Sequence, residues 1–308
     1  GLRLDGFQGN AYGNELRWQP KWSLTYSPSP RWSYYLRYDR RINPLQRARL
    51  NTYGSLMDMP LLPEGDLMVS RIAQTTLGTS WAREKMDVQL GAFYRNLKSI
   101  PVHDYKNGVY SYLIEESTGL SPSYRHSMVD AQGYAYGLEL ATSLHWKVFS
   151  WDLAYTYTQS WRKSRALNKG RYFPFAFNRR HVLAGTFKTR FKRNTLNKIT
   201  ELVLSYRYGS PRYSTFPGQA VSLPRTRRGF GYLGERNNVQ LPPMNLLSLS
   251  FNFIALRKGH RRTFTLSLSH AALSPPLFRY TSQGINPGHL KGQGMIPLFG
   301  SISYYINL

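Results

Sequence analysis

The chain has 308 residues, enough for a large core, yet its mean hydropathy is −0.46 and no run of about 18 apolar residues occurs, which excludes a bundle of membrane helices. It carries 41 Lys and Arg against 16 Asp and Glu, a net charge of +25. It has no cysteine, which removes disulfide frameworks, cysteine-held zinc and thiol catalysis together.

The first periodic stretch spans 15–26. Trp18, Trp22, Leu24 and Tyr26 share one parity there, and Arg17, Gln19, Lys21, Ser23 and Thr25 share the other. A period of two places each set on its own face of a strand. After a short connection at 27–31, Trp32, Tyr34, Leu36 and Tyr38 repeat the pattern over 32–42. A long loop at 43–66 leads to a third strand at 67–81, where Ile72 and Leu77 have opposite parity, which a bulge or a misplaced boundary would explain. A charged turn at 82–86 precedes the fourth strand, 87–98, and a polar loop follows at 99–131.

The fifth strand, 132–144, is the most regular. Tyr134, Tyr136, Leu138, Leu140 and Leu144 lie on one side, and Gly133, Ala135, Gly137, Glu139 and Ala141 on the other. A carboxylate such as Glu139 is costly in lipid, so the small-residue side is the expected lumen. The pattern continues at 150–161, 179–191 and 198–208, through Leu247–Phe253 and Phe264–Leu268, and ends at Ile302–Leu308. Short turns at 145–149, 192–197 and 255–261 alternate with long loops at 162–178, 209–243 and 271–294.

Aromatic-rich strands joined alternately by tight turns and long loops are the signature of an outer-membrane β-barrel. The expected fold is therefore all-β: about eleven antiparallel transmembrane strands. In such barrels the short turns lie at the periplasm and the long loops outside. With eleven strands the first and last would run the same way and could not close an antiparallel sheet on themselves. An open edge is not tolerated in hydrocarbon, so the expectation is a portion of a larger barrel. Gly1-Leu2-Arg3-Leu4-Asp5 lacks the regions of a signal peptide, so a mature chain or a fragment is expected.

Several segments resemble the carboxyl-terminal half of TonB-dependent outer-membrane receptors, most like those of Bacteroidetes. Gln19-Pro20-Lys21-Trp22 through Ser27-Pro28-Ser29-Pro30 is similar to the family's proline-containing hairpin. Gly133-Tyr134-Ala135-Tyr136-Gly137-Leu138-Glu139-Leu140 is similar to its glycine-rich strand with an inward Glu. Phe173-Pro174 with Asn178-Arg179-Arg180-His181 resembles a strand start that the family usually writes with Asp where Asn178 stands. Leu241-Pro242-Pro243 and the close at Tyr304-Tyr305-Ile306-Asn307-Leu308 complete the resemblance, although an aromatic last residue is more typical.

The resemblance implies about 22 strands around an amino-terminal plug that is not in this chain. It implies a Gram-negative outer-membrane location and import of a scarce nutrient such as a siderophore, glycan or peptide, with energy relayed by TonB through the plug. Implied partners are the remaining strands and plug, outer-membrane lipid and lipopolysaccharide, and a surface lipoprotein. A non-importing barrel subunit of a secretion or assembly complex is the alternative. Nucleic acid is not an expected partner despite the charge, because stacking platforms do not require aromatics to hold one parity strand after strand.

No constellation points to catalysis, a metal or a cofactor. The seven histidines show no ligand spacing, and Glu115–Glu116 is the only adjacent acidic pair. Two groups are candidate sites. Arg17, Lys21, Arg37, Glu139, Arg190, Glu201 and Arg207, with Asp39, Asp87, Arg95, Asp152 and Lys188, share the expected lumen parity. They would either bind anionic cargo or dock the plug. Arg225, Arg227, Arg228, Tyr232 and Arg236 lie in the longest loop and would meet ligand or lipopolysaccharide.

Overall fold

Alternation of β-branched or aromatic residues with small polar ones favours extended backbone. In the computed structural model it produces one long antiparallel sheet. The structure describes residues 2–7, 15–43, 46–49, 58–61, 69–103, 128–193, 198–214, 217–222, 229–233, 235–257, 260–269, 277–282, 290–294 and 298–307. Twelve strands lie side by side in chain order. They are β1 (Leu2–Phe7), β2 (Glu15–Ser29), β3 (Trp32–Asn43), β4 (Ser70–Arg83), β5 (Met86–His103) and β6 (Met128–His145), then β7 (Phe149–Lys163), β8 (His181–Arg193), β9 (Lys198–Gly209), β10 (Met244–Arg257), β11 (His260–Ser269) and β12 (Phe299–Asn307).

The count is twelve, not eleven. The extra strand is β1, whose Leu4 pairs with Trp18 and whose Asp5 pairs with Arg17. Its six residues end on Gly6 and Phe7 and carry too short an alternation to stand out in the sequence. The extra strand changes the argument about closure. With twelve strands β1 and β12 run in opposite directions, so direction does not forbid their pairing. Openness rests instead on observed pairing: among the described residues β1 bonds only to β2, and β12 only to β11.

Of the two explanations for the third strand, the bulge is absent, and the boundary is shifted, the strand running Ser70–Arg83. Twelve consecutive pairs join β3 to β4 and thirteen join β4 to β5 without a shift. Leu77 lies between Leu36 and Ala92, while Ile72 lies on the opposite face against Arg41. Register is fixed by its neighbours over the whole strand, so a single apolar residue on the polar face is tolerated. Irregularity falls elsewhere, between Tyr26 and Ser29 of β2 and between Leu97 and Ile100 of β5.

Pairing carries the alternation across the sheet. Leu24, Leu36, Leu77, Ala92, Leu138 and Tyr157 form one continuous cross-strand row. One residue away, Ser23, Arg37, Thr76, Phe93, Gly137 and Thr158 form a row on the other face. No described residue covers the apolar face. Leu24 and Tyr26 are 65% exposed and Ile302 is 74% exposed. Among the described residues Leu241 is the one large side chain below 2% exposure. A water-soluble sheet of this size would bury one face in a core, so an uncovered apolar belt this long calls for lipid.

Candidate functional site

The polar face is built from alternating strand positions, so its side chains form rows along the wall. Lys21 lies opposite Asp39, and Asp39 pairs in turn with the Arg41 guanidinium. Arg17 is in register with Asp5; its side chain is not described. The Arg37 guanidinium stacks 4.4 Å from the centroid of Tyr35. Arg95 lies 5.8 Å from the Phe93 ring and donates from Nε to Gln74 Oε1 at 2.9 Å. Both rings lie flat against the wall over glycines, Tyr35 across Gly78 and Gly91, and Phe93 across Gly137. Each arginine is thus held against an aromatic surface that glycine leaves room for. Glu139 sits between Gly91 and Thr156, and Arg207 between Ala184 and Leu246.

One tight network forms on this face. Arg190 Nε donates to Glu201 Oε2 at 2.8 Å, and Asn252 Nδ2 donates to Glu201 Oε1 at 3.1 Å. Thr265 Oγ1 donates to Asn252 Oδ1 at 2.8 Å, so the chain of bonds crosses four neighbouring strands. It edges an open depression of about 380 Å³ lined by Glu201, Asn252, Ile254, Arg261, Thr263, Thr265 and Tyr305. The depression lies near the short-turn end. The other expected lumen residues are spread along the wall.

At the long-loop end the connections after β7 and β9 are knitted together. Phe173–Pro174 folds back to pair with Arg162 and Trp161. Asn168 Nδ2 donates to the Arg236 carbonyl at 3.1 Å, and the Arg236 N–H donates to Asn168 Oδ1 at 2.7 Å. Asn237 Nδ2 donates to the Pro174 carbonyl at 2.6 Å. Arg179 Nη1 donates to the carbonyls of Gly209 and Ser210 at 3.1 and 2.6 Å. Burial holds the Arg179 guanidinium below its ordinary pKa. It does the same for Arg212, to which nearby Arg179 adds repulsion. The Arg162 guanidinium is nearly buried, stacked 4.5 Å from Phe175.

Of the expected loop contacts, Arg225, Arg227 and Arg228 lie outside the described residues. Tyr232 has its backbone alone described, in the strand Gly229–Leu233. Arg236 is placed by its backbone pairing with Asn168. Sequence reasoning missed Asn168, Arg162, Arg179 and Arg212 as organisers of the loop base. The one signal in the sequence was the Asn178-Arg179-Arg180-His181 segment.

A family profile described as "TonB dependent receptor-like, beta-barrel" matches residues 1–269. The chain belongs to this family. Among solved structures, it resembles the ferric yersiniabactin uptake receptor FyuA of Yersinia pestis, with 14% identity and a TM-score of 0.60 over 96% of this chain and 37% of that one. BauA, the ferric preacinetobactin receptor of Acinetobacter baumannii, matches at 13% identity and a TM-score of 0.60, again over 96% and 37%. The ferripyoverdine receptor of the outer membrane of Pseudomonas aeruginosa matches at 14% and 0.55, over 95% and 34%. At such identities the likeness is one of fold. The chain spans little more than a third of the length of the TonB-dependent receptors it matches. No curated protein matches the sequence.

Proposed function

We propose that this chain forms the carboxyl-terminal part of the barrel of a TonB-dependent transporter that imports a scarce nutrient across the outer membrane of a Gram-negative bacterium. The observation that carries the reading is the open sheet of twelve strands, apolar on one face and polar on the other, in a chain of this receptor family. In this reading the short turns face the periplasm and the long loops face outside.

Each face has its task. The outward belt is solvated by acyl chains, and the inward rows supply hydrogen bonds and charge where lipid would supply none. Arg17, Lys21, Arg37, Glu139, Arg190, Glu201 and Arg207 dock the plug that the rest of the receptor provides, through which TonB acts. The loop base around Asn168 and Arg236 holds the outer mouth in a fixed shape, and Arg225, Arg227, Arg228 and Tyr232 reach cargo or lipopolysaccharide beyond it. The cargo class that the structural neighbours favour is a ferric chelate of the siderophore kind, because FyuA is described as a ferric yersiniabactin uptake receptor and BauA as a ferric preacinetobactin receptor.

Deletion of the gene tests the reading. The expected result is lost growth on one ferric siderophore under iron limitation, restored by the full-length gene. Unchanged growth on every siderophore tested would overturn the cargo class. Absence of the protein from detergent-extracted outer membranes would overturn the whole reading.

A further inference from the structure

Three cations stand on the apolar face at the long-loop end, where a lipid-facing wall should be neutral. They are Arg40 on β3, Arg71 on β4 and Lys98 on β5. Their parity is that of the belt, since Tyr38 precedes Arg40 by two residues, Ala73 follows Arg71 by two, and Tyr94 precedes Lys98 by four. All three are exposed. Arg71 and Lys98 are direct cross-strand partners, and Arg40 lies one step diagonally from Arg71, opposite Ala73. Two like charges facing each other across a ladder repel, and a sheet normally avoids the arrangement. No side chain among the described residues neutralises them. The carboxylate of Asp39 points to the other face; Asp130 shares the belt parity of Tyr134 and Tyr136 but stands nearer the loops on β6, opposite Pro101, and makes no ion pair with the three cations.

A second feature fixes the pair. Immediately after Lys98 the β5–β6 register shifts, and Ser99 takes a φ of 54°, in the left-handed region that a serine rarely adopts. A bulge of this kind re-aims its neighbouring side chain and persists only where the surroundings hold it. It interrupts the β5–β6 ladder next to the residue that faces Arg71, and pairing resumes at Ile100 with Ala131. The next outward row but one towards the other end contains Tyr38, Tyr94 and Tyr136, rings suited to the membrane–water boundary. The cations therefore sit at headgroup depth.

We infer that Arg40, Arg71 and Lys98 form a binding site for the phosphate groups of lipid A, the phosphorylated glycolipid of the outer leaflet. Two guanidinium forks and an ammonium within one or two strand spacings match a phosphate's geometry and neutralise its charge, and the ligand relieves the Arg71–Lys98 repulsion. The choice of leaflet rests on the orientation proposed above, with long loops outside.

The test uses the full-length receptor purified in a zwitterionic detergent, with diphosphoryl lipid A, dephosphorylated lipid A and phosphatidylglycerol as probes read by native mass spectrometry. The wild type should bind diphosphoryl lipid A at least tenfold more tightly than either other lipid. The R71Q/K98Q double variant should lose at least tenfold, while R83Q/R262Q, at the short-turn end, should bind as wild type. K98E should melt at a higher temperature than wild type in lipid-free detergent, having converted a repulsive pair into an attractive one, and should lose lipid A binding. Undiminished binding by R71Q/K98Q or K98E, or equal binding of the dephosphorylated form, would overturn the site. Equal binding of phosphatidylglycerol would assign it to an ordinary phospholipid instead. Orientation is read separately, by labelling K169C on intact cells with an impermeant maleimide. Labelling supports the outer leaflet; its absence overturns the orientation whatever the detergent result.

Discussion

The side-chain amide of Asn168 pairs with both the N–H and the carbonyl of Arg236, residues 68 positions apart, and so ties two long connections to each other. Such a two-sided bond satisfies two backbone groups that a loop would otherwise leave to water. It makes the loop base a structural part of the wall.

Replacing Asn168 with Ala should therefore loosen the loops and leave the strands intact. Loss of both bonds should cost about 1–3 kcal/mol locally, the cost of leaving part-buried backbone groups unpaired. Hydrogen exchange should rise around residues 235–241 and stay unchanged in β7–β9. Exchange that rises equally in the strands would show that the pair supports the sheet and not the loops.

The apolar face can be tested against its neighbour one residue away. Leu77 is 59% exposed midway along β4, whereas Thr76 lies on the polar face opposite Arg37. A charge at the bilayer midplane on the lipid side costs about 2–4 kcal/mol, and the lumen side lacks this penalty. L77R should reduce the heat-modifiable, assembled fraction of the receptor well below that of T76R. Equal fractions would contradict the assignment of faces.

Glycine at position 78 is required by close approach. A Cβ there would stand 2.3 Å from the Tyr35 hydroxyl and 2.7 Å from the backbone oxygen of Leu90. The tyrosine can swing aside, but the strand cannot, so G78V should fail to assemble even when Tyr35 is truncated to Ala. At Gly91 the nearest atom is the Tyr35 hydroxyl at 3.1 Å, so Y35A should rescue G91A. Assembly yields of the two double variants distinguish a backbone clash from a side-chain one.

The Arg190–Glu201 pair should contribute little on its own. Arg190 is 67% exposed, so a double-mutant cycle in detergent should give about 0.2–1 kcal/mol of coupling, falling with salt. Glu201 with Asn252 should couple more strongly, because Asn252 also accepts from Thr265 and its loss breaks a chain of bonds. Thermal melting of the single and double variants reads both.

The strand positions and the identity of each face were legible because a period of two survives in one strand regardless of its neighbours. Trp18, Trp22 and Leu24 show it alone. The fifth strand of the sequence reading is β6 of the sheet, and its Gly133-Ala135-Gly137 side was readable as the small, polar face before any partner was known. The family too was legible, in the order of its weak motifs. What failed was local and short. Six residues at β1 gave too little alternation to register, and Ile72 called for a bulge or a shifted boundary because its neighbours β3 and β5 were not yet in place to hold the register.

By itself the sequence determined that strands would form, which side of each is apolar, and that the chain carries far more positive than negative charge. Only the tertiary arrangement decided which charges meet. Lys21 faces Asp39, Arg190 finds Glu201, and Arg71 is set against Lys98 through registers that no single strand encodes. Alternation is a property of one strand's backbone geometry, whereas pairing depends on where two turns and a bulge place the neighbouring strand.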